Sequence, residues 1–188
     1  MNDEQGAERI AGIAAVLSGA CWVMWAVGNT LSHGGLADGS GVFAGPRLAK
    51  VGPLLTAGWN LLLVPAALAL WRRLHLSRPD LVLLYTVAGI LSLTFWAFGG
   101  VTRITPTLEI TYLALAAVWW IGIGSSLRTH GRRSLGTFTM IVGCFAALDA
   151  LLCFCEPVPF ALFVLAAPKL PLAATWSIVI GIVLCRGD

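Results

Sequence analysis

Apolar residues fill this chain in long, nearly unbroken runs, not in the one-sided or alternating patterns of soluble helices and strands. Six of these runs approach the ~20 residues an α-helix needs to cross a bilayer. They predict spans over residues 9–31, 51–71, 81–102, 108–127, 135–154 and 172–185. Two starts carry their own signal. Pro79-Asp80 puts proline and an acid in a first turn, and Thr105-Pro106 offers an N-cap followed by proline at the first helical position. Pro65 lies inside the second run, where it frees a carbonyl near Leu61 and predicts a kink close to Asn60.

The last apolar run is too long for one span and is interrupted by Pro168-Lys169-Leu170-Pro171. A short helix or re-entrant piece over 158–167 is expected there, followed by a true span. Irregular backbone at membrane depth must be buried in protein or wetted, so Lys169 belongs at the outer boundary or in a polar cavity. The expected fold class is an all-α integral membrane protein. It is a six-helix transmembrane bundle, one polytopic domain over residues 1–188, with a broken or re-entrant segment before the last span.

Charge sets the orientation. With the N-terminus in the cytoplasm, the inner side receives Arg9, Arg72, Arg73, Arg78, Arg128, Arg132, Arg133 and Arg186, and the outer side Arg47, Lys50, Arg103 and Lys169. The positive-inside rule then places both termini in the cytoplasm. The first run reads as a retained span. Asp3, Glu4 and Glu8 precede it, the wrong charge for a signal peptide, and it exceeds the ~7–15 residues of a signal's apolar core.

Composition agrees. The chain is 58% hydrophobic and 11% charged, against roughly 45–50% and about 25% for soluble domains. No dense Lys/Arg cluster points to nucleic acid, and the preference for Ala, Gly, Leu and Arg over Lys points to a GC-rich bacterial genome and hence a bacterial cell membrane. His33, His75 and His130 all fall in loops, which argues against haem or an intramembrane metal site; no metal and no cofactor is expected. Five cysteines occur without a C-x-x-C pair. Cys153 and Cys155 form a C-x-C whose side chains diverge by about 200° on a helix, so they read as packing residues.

Candidate chemistry emerges when polar residues are placed by depth. Asp149 lies in the outer half of the fifth span, Asn60 in the outer half of the second, Arg103 at the end of the third, and Glu109 at the start of the fourth. The inner halves hold no comparable set. An acid at membrane depth costs at least ~2.5 kcal/mol on insertion scales, so Asp149 should turn into the bundle. Trp59, Trp96 and Trp176 could wall an apolar pocket beneath the polar group. Stripes of small residues, Gly12, Ala15 and Gly19 on the first span and Gly89, Ser92 and Gly99 on the third, mark close helix contacts.

These features support three readings. In the first, the bundle binds or transports an amphipathic, lipid-like small molecule through Asn60, Arg103, Asp149 and Lys169, walled by Trp59, Trp96 and Trp176. In the second, Asp149 and Glu109 are catalytic acid and base in a membrane-embedded enzyme of isomerase or cyclase type acting on an isoprenoid or lipid. In the third, the chain is a membrane subunit or assembly factor, its small-residue stripes meeting a homo-oligomer or a partner protein within the membrane lipids. No nucleophile or phosphate-loop motif occurs in a usable context.

Overall fold

The structure is a computed structural model that describes residues 3–32, 51–76, 78–99, 106–154 and 169–187. Among these residues it is entirely helical: α1 (Asp3–Ser32), α2 (Val51–Leu74), α3 (Pro79–Gly99), α4 (Pro106–Thr129), α5 (Arg133–Phe154) and α6 (Lys169–Arg186). Five of the six are long and apolar enough to cross a membrane, and the sixth carries a shorter apolar stretch, Pro171–Arg186. That is the architecture of a multi-pass membrane protein. Each of α3 and α4 begins on the proline that marks its start in the sequence.

Two boundaries differ from the sequence reading, for the same reason. The sequence puts the Pro168–Pro171 stretch ahead of the last helix, but α6 begins at Lys169 and takes Pro171 into its first turn. The N–H that proline lacks has no intrahelical partner there in any case. At the other end of the chain, α1 starts at Asp3, six residues before the apolar run, because acids suit a helix N-terminus. Pro65 is held within a continuous α2. The short helix or re-entrant piece expected over 158–167 lies outside the described residues.

Consecutive helices pack on one another: α1 on α2, α2 on α3, α3 on α4, α4 on α5. α6 returns to α1, while α5 meets α6 only sparingly. The result is a ring with one thin seam. Short turns enforce the antiparallel pairing of α2 with α3 and of α4 with α5. At the α4–α5 turn Gly131 has φ +82°, its N–H donates to the Arg128 carbonyl, and the Arg132 N–H donates to the Leu127 carbonyl. This is a Schellman motif with glycine at the left-handed position.

The bundle interior is built from small residues and tryptophan. Ala15, Leu63, Ala66, Ala67, Trp119, Ala146 and Trp176 are buried, while Ile10, Leu54, Leu61, Leu84, Phe98 and Leu151 point outward. In a bilayer, lipid solvates leucine as well as protein does, so close packing and hydrogen bonds drive association instead. Serine supplies two of those bonds: Ser18 Oγ donates to the Trp59 carbonyl at 3.0 Å and Ser92 Oγ to the Tyr112 carbonyl at 2.9 Å. At the arginine-bearing end, Arg73 grips Glu8 through two bonds of 3.0 and 2.6 Å. This bidentate, half-buried pair ties the start of α1 to the end of α2 and is worth about 1 kcal/mol.

Candidate functional site

At the end away from the arginines, a line of aromatic rings crosses four helices. Trp22 of α1 meets Trp59 of α2 at 5.9 Å between centroids, Trp59 meets Trp96 of α3 at 5.5 Å, and Trp96 meets Tyr112 of α4 at 4.7 Å. The first two contacts are edge-to-face, the arrangement that ring quadrupoles favour. Beyond Tyr112 the line reaches α5, where Ala150 and Cys153 pack on the same small cluster. Asp149 and Cys153 lie close enough to Tyr112 to act on its phenol electrostatically. The Tyr112 hydroxyl donates to Glu109 Oε1 at 3.5 Å, a long bond.

The two carboxyls that act on this phenol differ in their surroundings. Asp149 is buried, with 8% of its surface exposed, whereas Glu109 is exposed. Sequence reasoning missed Tyr112, although its position one turn after Glu109 offered a signal.

Asn60 is wholly buried beside Trp59. Its Nδ2 donates to the Thr56 carbonyl at 2.7 Å. A carbonyl accepts only from a donor, so this bond fixes which way the amide points. Among the described residues the other end, Oδ1, is buried without a hydrogen-bond partner. The indole N–H groups of Trp59, Trp119 and Trp120 also lack a conventional acceptor. They sit among rings whose faces are weak acceptors; a carbonyl oxygen has no such recourse. An orphaned buried acceptor costs about 1–3 kcal/mol.

Trp176 belongs elsewhere. Its ring stands edge-on to Trp119 at 5.4 Å and to Trp120 at 5.9 Å, and its Nε1 donates to Thr139 Oγ1 of α5 at 2.9 Å. The structure thus brings Trp59, Trp96 and Asn60 together and extends the ring line to Asp149, but it places Trp176 in a second, deeper cluster. That bond also fixes the depth of α6. Trp176 lies seven residues from the start of α6, while Thr139 lies fifteen from the end of α5. The eight-residue difference sets the start of α6 about 12 Å below the end of α5, at 1.5 Å per residue. Asp149, five residues from that end, is about 8 Å below it on the same measure. On this measure the start of α6, the positive end of its dipole, lies about 4 Å deeper than Asp149. Arg103 lies outside the described residues, as does the side chain of Lys169.

The described residues thus combine an apolar aromatic wall, one unmatched acceptor and a buried carboxyl. Comparison of the chain with protein-family models, with curated protein sequences and with solved structures gave no match.

Proposed function

We propose that this protein is a six-span bundle of the bacterial cell membrane with both termini in the cytoplasm, and that it binds or transports an amphipathic, lipid-like small molecule in the outer half of the bundle. The arginines of one end favour that orientation, and an α6 that starts at depth suits a broken segment before the last span. Asn60, Asp149 and the α6 N-terminus, with Arg103 and Lys169 from the sequence, would contact the polar head. Trp59 and Trp96 would wall the apolar part. The observation that carries this reading is Asn60 Oδ1, a buried acceptor with no donor among the described residues.

The test is the Asn60→Leu variant, titrated with a brominated lysophospholipid whose bromine quenches tryptophan on contact. Loss of the orphan should raise the melting temperature of the ligand-free protein, while affinity for the probe falls about tenfold, the equivalent of ~1.4 kcal/mol. Asp149→Asn should weaken the probe without unfolding the bundle. Unchanged quenching in both variants would remove this reading.

A membrane-embedded acid/base enzyme is favoured by one specific feature, that Tyr112 bonds Glu109 and also feels the charge of Asp149. Two carboxyls of unequal burial that both act on one phenol would suit proton transfer along an isoprenoid chain. On this reading Glu109→Gln should abolish isomerisation of a polyprenyl substrate in reconstituted vesicles yet leave probe binding intact. A wild-type protein inert towards such substrates, or a Glu109→Gln variant as active as wild type, would exclude it.

A further inference from the structure

On the lipid-facing side of α3, α4 and α5 runs a cavity of about 770 Å³, lined by Tyr85, Ala117, Ile121, Gly122, Met140 and Ala147 among others. It extends along α4 from Ile110 to Ser125, about 22 Å at 1.5 Å per residue. One leaflet contributes about 15 Å to the hydrocarbon core, so the groove is long enough for a full acyl chain. Its wall is almost wholly apolar. Small residues make the floor: Ala117 and Gly122 are buried, and a Cβ on Gly122 would run into the Tyr85 ring.

At the arginine end the groove does not stop. Ser125 and Met140 also line a second cavity of about 370 Å³, completed by Arg128, Thr129 and Arg133. The Arg128 guanidinium reaches back over the junction, Nη1 lying 3.8 Å from Met140 Sδ. Among the described residues neither arginine is paired with a carboxylate. The acid in the first turn of α4, Glu109, is at the opposite end of that helix, and the first turn of α5 has none. An apolar trough of acyl length therefore leads into a cationic pocket with hydroxyls on its rim, at the level of a headgroup.

We propose that this composite groove binds one anionic phospholipid, its chain along α4 and its phosphate between Arg128 and Arg133. Arginine suits the planar, two-pronged recognition of phosphate, and Ser125 can donate to a remaining oxygen, whereas the Thr129 hydroxyl already donates to the Ser126 carbonyl at 2.8 Å. The phosphate end lies at the opposite end of α4 from the outer-half cluster, and the proposal rests only on the membrane-spanning architecture. Asn60→Leu should therefore leave it unchanged.

The experiment is native mass spectrometry of the purified protein in mild detergent, with phosphatidylglycerol or phosphatidylcholine added. Wild type should retain phosphatidylglycerol at least about five-fold better than phosphatidylcholine, equivalent to ~1 kcal/mol. The double variant Arg128→Gln/Arg133→Gln should lose that preference, and Ala147→Phe, which fills the trough, should lower retention of both lipids. The control Arg72→Gln/Arg78→Gln removes two exposed arginines from the same end of the bundle and should change nothing. The proposal is overturned if the control pair acts as strongly as the groove pair, since the effect would then be general surface charge. It is equally overturned if the groove pair has no effect, or if wild type is a dimer that Ala147→Phe splits without altering lipid retention, which would assign the groove to a second copy.

Discussion

Gly136→Leu should collapse the stability of the bundle, by about 3 kcal/mol or more, and show as loss of the monodisperse species in detergent. A Cβ on Gly136 would sit 2.5 Å from the Gly124 carbonyl oxygen and 2.8 Å from the Arg128 amide nitrogen. The contact is reciprocal: a Cβ on Gly124 would sit 2.7 Å from the Gly136 oxygen. Both obstacles are backbone, which cannot rotate away, so α4 and α5 must part along their whole contact. This is the most extensive helix pairing in the fold, and close approach is the force that holds it in lipid. Gly58→Ala is the matched control. It also lies within a helix, yet nothing stands within 4 Å of its added Cβ, so it should be neutral or stabilise by up to about 1 kcal/mol. A Gly136→Leu protein with the wild-type melting temperature would mean that the two backbones are not in contact.

Trp176→Ala should cost about 3–5 kcal/mol, because Trp176 is fully buried and bridges the thin α5–α6 seam. Its loss removes two edge-to-face contacts, with Trp119 and Trp120, and takes from the Thr139 oxygen the donor it accepts from. That hydroxyl accepts from Trp176 while donating to the Leu135 carbonyl at 2.8 Å, so the bond belongs to a short relay. Trp176→Phe and Thr139→Val separate packing from hydrogen bonding. Each should cost less than the alanine variant, and the pair should couple by about 0.6–1.7 kcal/mol, the range for hydrogen bonds between membrane helices. Additive effects of the two substitutions would show that the bond contributes nothing.

The sequence determined the class of this protein. Runs of hydrocarbon length cannot be buried in a domain this small, and Pro79 and Pro106 mark helix starts by backbone chemistry alone. The stripes of small residues also carried over. Gly12 and Gly19 of α1 face α6, and Gly89 of α3 seats the Trp119 ring, because a helix fixes which residues share a face.

Helix rotation and depth were decided only in three dimensions. These helices are apolar almost all round, so no polar face opposes an apolar one to tell which side turns inward. That information lies in shape, in which glycine notch receives which ring or carbonyl, and shape exists only between two helices. Trp176 therefore joined Trp119 and Trp120 rather than Trp59 and Trp96, and Tyr112 came to pack with Ala150 from a different helix. The depth of α6 followed from a single bond, Trp176 to Thr139. Asn60 could be read as polar and intramembrane from its neighbours in the chain, but an unmatched Oδ1 is a property of everything packed around it.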